Sequence, residues 1–168
     1  LRSSAAFDAW FADTTVKLTP QTPVPGGPRA SIQISTAANE AQSFQVILSP
    51  KREFSLERVE VSALRSGERE IAATSMEVHA IEYVPVSRKA RINQVTFFGR
   101  IGDPLVPVKP RSATRNDGNL AFWLTVRTPA GTAGGSYRGE ITIVTADEAP
   151  LRLPLAVQVY DFELPEYS

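Results

Sequence analysis

The chain has 168 residues, of which 42% are hydrophobic and 21% are charged, as in an ordinary globular domain. Eighteen Lys and Arg residues balance eighteen Asp and Glu residues, so no overall charge attracts nucleic acid or an anionic membrane surface. The lack of cysteine and the single histidine, His79, exclude thiol chemistry, disulfides and a zinc site built from His and Cys, and we expect no metal or cofactor.

The N-terminal part, residues 1–28, is predicted to be irregular. Residues 3–12 permit no more than a short helical turn, and the prolines and glycines between Pro20 and Pro28 cannot lie inside a sheet. The sequence begins at Leu1 and not at a methionine, and residues 1–6 lack the apolar core of a signal peptide. Residue 1 is therefore interpreted as a processed or introduced N-terminus. The compartment stays open, with a periplasmic or extracellular location favoured. No run of 18 apolar residues predicts a membrane span.

The rest of the chain carries the two-residue periodicity of β-strands. Apolar residues alternate with polar ones, or run together, in the segments 31–35, 43–48, 58–64, 71–84, 120–127, 137–145 and 151–159. Alternation between Gly- and Pro-containing turns is typical of half-buried antiparallel strands, and the nearly continuous apolar run at 43–48 indicates a central strand. We therefore predict one all-β domain over residues 1–168, an antiparallel β-sandwich of about seven to nine strands.

A long connection between residues 85 and 118 is strongly basic. It holds seven basic residues against two acidic ones: Arg88, Lys89, Arg91, Arg100, Lys109, Arg111 and Arg115 against Asp103 and Asp117. Connections of this length without structure of their own are uncommon, and are usually functional or disordered. The preferred interpretation is a loop that docks on another surface. A solvated or locally packed insertion and direct binding of an anionic ligand are the alternatives.

No residue pattern predicts a catalytic site. The adjacent acids Asp147 and Glu148 fall in the predicted turn between residues 145 and 151, where neither carboxylate gains the burial that glycosidic acid–base catalysis uses. His79 lies inside a predicted strand and is interpreted as an ordinary strand residue. The sequence has no Gly-x-Ser-x-Gly elbow and no phosphate-binding loop before a helix.

Trp123 is the strongest candidate for contact with a ligand or a domain. It shares a strand face with Thr125 and Arg127, opposite the apolar face of the same strand. An exposed Trp ring stacks well on a pyranose ring or on a neighbouring domain, whereas a covered ring belongs to the core. Trp10 has the same three interpretations, but its local structure is less determined by the sequence.

Several segments together resemble a known family. The run from Ala38 to Leu48, which contains Asn39-Glu40 and Ser43-Phe44-Gln45, is similar to a strand of the N-terminal sandwich domain that precedes the catalytic barrel in glycoside hydrolase family 123 and in related proteins of unassigned function. The other matching segments follow in the same order along nearly the whole chain: Trp10 with Lys17, Tyr83-Val84, 102–107, 122–126, 129–139 and 159–165.

This resemblance implies a non-catalytic role for the chain. The family's enzymes are similar to β-N-acetylgalactosaminidases, in which the acetamido group of the substrate is the nucleophile and an Asp-Glu pair lies in the barrel. The barrel would begin after Leu164-Pro165, so the pair has no counterpart here, and Asp147-Glu148 is not equated with it. The implied partner is a C-terminal catalytic barrel against which this accessory domain packs. The alternative is a free-standing carbohydrate-binding or adhesion module that binds glycan through an exposed Trp.

Specific roles follow for some of these residues. The candidates for a sugar contact or an interdomain contact are Trp123, Arg127, Trp10, Asp103 and Arg111. Asp103 precedes a proline, which restricts the chain to an extended conformation suited to fixing a contact loop. Asn39 and Glu40 are expected to bind neighbouring backbone N–H groups. Tyr137, between two glycines, is expected to have a packed ring and a hydrogen-bonded hydroxyl.

Overall fold

A computed structural model describes residues 2–26, 31–86 and 99–166. Within these ranges the chain forms thirteen β-strands and one 3₁₀ turn (Ala73–Ser75), arranged as two sheets packed face to face. The strands are β1 (Arg2–Ser3), β2 (Phe7–Ala12), β3 (Ile32–Ala38), β4 (Glu40–Pro50), β5 (Phe54–Val61), β6 (Leu64–Ser66), β7 (Arg69–Ile71), β8 (Met76–Val86), β9 (Gly99–Pro107), β10 (Arg111–Ala113), β11 (Leu120–Thr128), β12 (Gly135–Thr145) and β13 (Leu151–Glu163). Nine of these strands have six residues or more, in agreement with the seven to nine predicted.

The first sheet contains six strands in the order β1-β2-β4-β11-β8-β9, and all neighbouring pairs are antiparallel. Its centre is the pairing of β4 with β11, which extends from Leu120 opposite Leu48 to Thr128 opposite Glu40. Residues 43–48 therefore lie in the interior of this sheet, which confirms the prediction of a central strand.

The second sheet contains seven strands. Five follow the order β10-β5-β12-β13-β3, and the short strands β6 and β7 are attached through β12. β3 runs parallel to β13, with Ile34 opposite Val157, so the sandwich is not wholly antiparallel as predicted. Side chains alternate in the same way in parallel and antiparallel strands, so the sequence pattern did not reveal the direction of β3. The connection gave no hint either, because β3 continues into β4 of the other sheet and not into a hairpin.

The prediction of an irregular N-terminal part is wrong for residues 2–12, which form β1 and β2. Both faces of β2 are covered, since Phe7 belongs to the core between the sheets and Trp10 to an apolar cluster on the outer face of the first sheet. A strand that is buried on both faces shows no alternation of apolar and polar residues, which is why the pattern did not predict it. Residues 13–26 contain no strand, as expected.

The core between the sheets is formed by the inward-facing residues of both. In β4, Phe44 and Val46 face this core and Ile47 faces outward, as the alternation in the sequence predicted. Tyr137 of β12 is 1% exposed, and its hydroxyl donates to the carbonyl oxygen of Ala133 at 2.9 Å. The expectation of a packed ring and a bonded hydroxyl is confirmed.

Residues 13–26, called the N-terminal segment below, cross the outer face of the first sheet. Leu18 of this segment is 2% exposed and packs into the outer apolar cluster, which also contains Trp10, Ala12, Ile47, Ile81 and Ala121. The side-chain amide of Gln45 donates to the carbonyl oxygens of Asp13 and Val16, at 2.7 and 3.0 Å. These bonds hold the N-terminal segment on the sheet, so part of the outer face is buried as well as the inner face.

The basic stretch at residues 85–118 is not one long connection without structure. β9 and β10 lie within it, and each is the edge strand of a different sheet. Edge strands tolerate the charged residues and prolines that concealed these strands in the sequence. Residues 87–98, which include Arg88, Lys89 and Arg91, lie outside the described residues.

Candidate functional site

The outer face of the first sheet carries a shallow depression around Trp123, called the Trp123 depression below. Its volume is about 240 Å³, and its lining residues are Thr14, Val16, Lys17, Leu18, Gln45, Ile81, Gly102, Asp103, Leu105 and Trp123. The N-terminal segment forms one side, β9 forms the other, and the strands β4, β8 and β11 form the floor. A partly covered aromatic ring with a few polar groups around it is a common composition for a small-ligand site.

Strand pairing sets the position of the residues in the Trp123 depression. Trp123 on β11 lies opposite Gln45 on β4 and His79 on β8. The amide of Gln45 is buried and is used to hold the N-terminal segment. Asp103 on β9 is exposed and brings a carboxylate to the same depression. His79 lies inside β8, as predicted for an ordinary strand residue.

Two apolar side chains stand on the rim of the depression. Val16 is 40% exposed and Leu105 is 45% exposed, although both are large hydrophobic residues. The backbone N–H of Gly102 donates to the carbonyl oxygen of Leu18 at 3.0 Å, so the two sides of the rim are joined directly. Exposed apolar side chains that lie next to an aromatic ring are a feature of contact surfaces.

Polar residues continue the outer face beyond Trp123. Thr125 Oγ1 and Ser43 Oγ share a hydrogen bond of 2.9 Å across β11 and β4. Arg127 Nε donates to Glu77 Oε1 at 2.8 Å, and this bond lowers the pKa of Glu77 and raises the pKa of Arg127. Arg127 therefore lies four residues further along β11 than Trp123, on the same face and in an exposed ion pair.

Trp10 is not available for contact with a sugar or a domain. Its ring is 5% exposed and belongs to the cluster under the N-terminal segment. Its indole Nε1 donates to Ser49 Oγ at 2.9 Å, Ser49 Oγ donates to Asn119 Oδ1 at 2.6 Å, and Asn119 Nδ2 donates to the carbonyl oxygen of Thr22 at 2.8 Å. This chain of bonds accounts for the buried polar groups and makes Trp10 a core residue.

The five predicted contact residues do not form one site. Trp123 and Asp103 share the Trp123 depression, and Arg127 lies further along the same face. Arg111 lies elsewhere, on β10 of the second sheet, where its guanidinium donates to Glu82 Oε1 at 2.7 Å. Because Glu82 belongs to β8 of the first sheet, this ion pair links the two sheets.

The C-terminal end of β13 is attached to the start of β4. Asn39 Nδ2 donates to the carbonyl oxygen of Leu164 at 2.9 Å, and the N–H of Leu164 donates to the carbonyl oxygen of Ala38 at 2.9 Å. Glu40 Oε2 accepts from the N–H of Ala37 at 2.6 Å. The expected local role is confirmed for Glu40, but the amide of Asn39 binds a carbonyl at the far end of the sequence.

Two exposed aromatic rings lie close to this attachment. Tyr160 and Phe162 are 48% and 57% exposed, and their rings stack with centroids 5.8 Å apart and planes inclined by 8°. They lie two residues apart on β13 and share one face of that strand. The pair is the largest exposed aromatic feature in the part of the chain that the structure describes.

The adjacent acids Asp147 and Glu148 lie in the turn between β12 and β13, as predicted. Glu148 Oε1 accepts from Arg52 Nη2 at 2.7 Å, and Asp147 Oδ2 accepts from the N–H of Ser55 at 3.1 Å. Both carboxylates thus anchor the turn to the chain around β5. The residues described include no cluster of three or more potential metal-binding side chains, and none of their helices is long and apolar enough to cross a membrane.

A second and larger cavity was not predicted from the sequence. It has a volume of about 710 Å³, and Tyr83, Arg100, Lys109 and Arg111 are among its lining residues. The basic composition of residues 85–118 did indicate three of its lining residues, Arg100, Lys109 and Arg111. The sequence did not indicate a role for Tyr83 in a cavity, since a tyrosine in a strand pattern is indistinguishable from a core residue.

Comparison with known proteins supports the fold. No family model matches the sequence, and no curated protein matches it. The chain is similar to the structure of a family 123 glycoside hydrolase from Clostridium perfringens, described in work on glycolipid glycan hydrolysis, with a TM-score of 0.78 and 9% sequence identity. The match covers 96% of this chain and 28% of the hydrolase chain. At this identity the likeness shows a shared fold, which this chain has in common with a portion of a longer enzyme.

A second solved structure gives no further information. AvmM, which catalyses macrocyclization in alchivemycin A biosynthesis, matches with a TM-score of 0.37 and 8% identity over 98% of this chain and 93% of its own. This score is too low to support an argument about fold or function.

Proposed function

We propose that this chain is a non-catalytic accessory domain of a glycoside-hydrolase-like protein, related to family 123, and that it packs against a catalytic barrel. The main support is the fold likeness, which covers 96% of this chain but only 28% of the family 123 enzyme. The ordered sequence motifs add support, because they resemble those of the domain that precedes the barrel in that family.

The proposed docking surface is the stacked pair Tyr160 and Phe162. Exposed aromatic side chains on a soluble domain commonly mark contacts with another protein surface. This pair lies within four residues of Leu164, whose backbone is bound by the side chain of Asn39. The direction of the chain at Leu164 is therefore fixed. A domain that follows Leu164 would lie next to the two exposed rings and could pack against them.

The assay of this chain by itself tests the non-catalytic role. We expect no hydrolysis of 4-nitrophenyl N-acetyl-β-D-galactosaminide, because the acids Asp147 and Glu148 are bound in a surface turn. Turnover by the wild-type chain that disappears in Asp147→Asn or Glu148→Gln would contradict the proposal. The variant Glu140→Gln serves as a control, since Glu140 is paired with Arg152 on the second sheet.

A second candidate function is carbohydrate binding at the Trp123 depression. It is favoured by the partly exposed ring of Trp123, which lies beside the carboxylate of Asp103 in a depression of about 240 Å³. In this case Trp123→Ala abolishes binding on a glycan array, while Trp123→Phe retains part of it through ring stacking. Absence of glycan binding by the wild-type chain would rule against this second function and leave the accessory role intact.

A further inference from the structure

The larger cavity opens where β8 and β9 continue past the first residues of β11. The last pair between β8 and β11 is Ile81 opposite Ala121, and β8 continues from there to Val86. The second sheet contributes Leu56 and Arg111 to the lining, so the cavity lies at an open end of the sandwich. Its volume of about 710 Å³ is within the range of small-molecule sites.

The cationic residues of this cavity are not fully used by the protein. Arg111 is paired with Glu82. Arg100 makes one hydrogen bond, from Nη2 to the carbonyl oxygen of Tyr83 at 3.3 Å. It forms no ion pair within the described ranges, although its charge helps to lower the pKa of Asp117. Lys109 likewise has no hydrogen-bond partner or ion pair among the described residues. Two cations therefore have donors left for an incoming oxyanion.

The two carboxylates of the cavity still have acceptor capacity. Asp117 Oδ2 accepts from the N–H and the hydroxyl of Thr114, at 2.8 and 2.7 Å, and Glu82 Oε1 accepts from Arg111. Each carboxylate has a second oxygen for which no hydrogen bond is seen in the described residues, and such an oxygen accepts well from a hydroxyl group. Cations for an oxyanion and carboxylate oxygens for hydroxyls are the groups that an acidic sugar requires.

The hydroxyl of Tyr83 is separate from these groups. The ring of Tyr83 packs against the outer apolar cluster, although the residue contributes to the lining of the cavity. Its Oη is buried and has no hydrogen-bond partner in the part of the chain described, so a ligand in the cavity does not reach it. Burial raises the pKa of Tyr83 to about 12, and the phenol is neutral at neutral pH.

We propose that this cavity binds a uronic acid unit, with Arg100 and Lys109 receiving its carboxylate and with Asp117 and Glu82 accepting from its hydroxyls. Nothing in this assignment depends on the accessory role or on the Trp123 depression, which lies on the outer face and shares only Ile81 with the lining of this cavity.

Isothermal titration calorimetry with three probes tests the assignment. D-galacturonate, D-galactose and acetate are titrated into the wild-type chain at low ionic strength. We expect D-galacturonate to bind about tenfold or more tightly than D-galactose, because charge-assisted hydrogen bonds are the stronger ones, and also more tightly than acetate, which lacks hydroxyls. No binding of galacturonate, or equal binding of galactose, would overturn the proposal. Equal binding of acetate would reduce the cavity to a simple anion site and would overturn the uronic acid assignment.

Variants identify the residues involved. Arg100→Ala with Lys109→Ala is expected to weaken galacturonate binding about tenfold or more, while Arg152→Ala, which removes an exposed arginine of the second sheet, leaves it unchanged. Unchanged affinity in Arg100→Ala/Lys109→Ala, with a native circular dichroism spectrum, would overturn the assignment.

Discussion

The side-chain amide of Asn39 donates a hydrogen bond to the carbonyl oxygen of Leu164 at 2.9 Å, across a sequence separation of 125 residues. Asn39 has a positive φ of 59°, a left-handed conformation that asparagine tolerates better than most residues. This conformation carries the chain from β3 of the second sheet into β4 of the first sheet. One residue thus joins the two sheets and also fixes the end of β13.

Substitution of Asn39 separates its two roles. Asn39→Gly keeps the left-handed conformation and loses the bond to Leu164, which costs about 1 kcal/mol. Asn39→Ala also introduces backbone strain of about 1–2 kcal/mol, so it should destabilise the chain roughly twice as much. Urea titrations measure both free energies of unfolding. Equal effects of the two variants would show that the left-handed conformation is not required.

Gly118 is predicted to tolerate substitution much less well than Gly131. A Cβ at this position would lie 2.4 Å from the carbonyl oxygen of Pro20, and the φ of Gly118 is +80°. Gly131 has a similar φ of +72° but open space around it. Gly131→Ala should therefore cost only the strain of about 1–2 kcal/mol, whereas Gly118→Ala should cost more, because the N-terminal segment must also move. Urea titrations that give the same cost for both variants would contradict the proposed clash.

The carboxylates of Asp13 and Asp117 predict a loss of stability in acid. The N–H of Thr15 lowers the pKa of Asp13 from 3.8, and the hydroxyl and N–H of Thr114 lower the pKa of Asp117 from the same value. Because both pKa values are lower in the folded chain, their stabilisation is present above the unfolded value and is lost as the pH falls through the folded values.

Urea titrations between about pH 6 and pH 2 measure this dependence. The free energy of unfolding should decrease below about pH 4, and the Asp13→Asn/Asp117→Asn variant should lose less over the same range, since its amides still accept the hydrogen bonds without titrating. An identical decrease in wild type and variant would show that other carboxylates cause the acid sensitivity.

Tyr160 and Phe162 should matter for assembly and not for the stability of the sandwich. The variant Tyr160→Ser/Phe162→Ser is expected to leave the thermal midpoint of this chain nearly unchanged, because both rings are about half exposed. If the complete gene product contains the proposed barrel, the same variant should let the sandwich and the barrel unfold in separate calorimetric transitions. Identical calorimetric profiles of the complete wild-type and variant proteins would contradict docking through these rings.

The sequence predicted those features that depend on local alternation. Phe44 and Val46 face the core and Ile47 faces outward, as their spacing indicated. Trp10 shows the limit of this reasoning, because β2 is covered on both faces and its residues do not alternate. The N-terminal segment that covers Trp10 is held by bonds such as that of Gln45 with Asp13, and contacts between distant segments leave no periodic signal.

The candidate sites were predicted less completely than the fold. Trp123 and Asp103 were both selected from the sequence, and the depression brings them together. The separation of Arg111 from them depends on which sheet β10 joins, and a three-residue edge strand does not show this in its sequence. The unpaired hydroxyl of Tyr83 is a property of packing alone and required coordinates.

The accessory role is tested most directly by activity measurements on the complete gene product beside residues 1–168. With 4-nitrophenyl N-acetyl-β-D-galactosaminide as substrate, we expect the complete product to contain a barrel with an Asp-Glu pair after Leu164-Pro165 and to hydrolyse the substrate, while residues 1–168 show no turnover. A complete product without a barrel, or turnover by residues 1–168 that depends on Asp147 or Glu148, would contradict the proposed function.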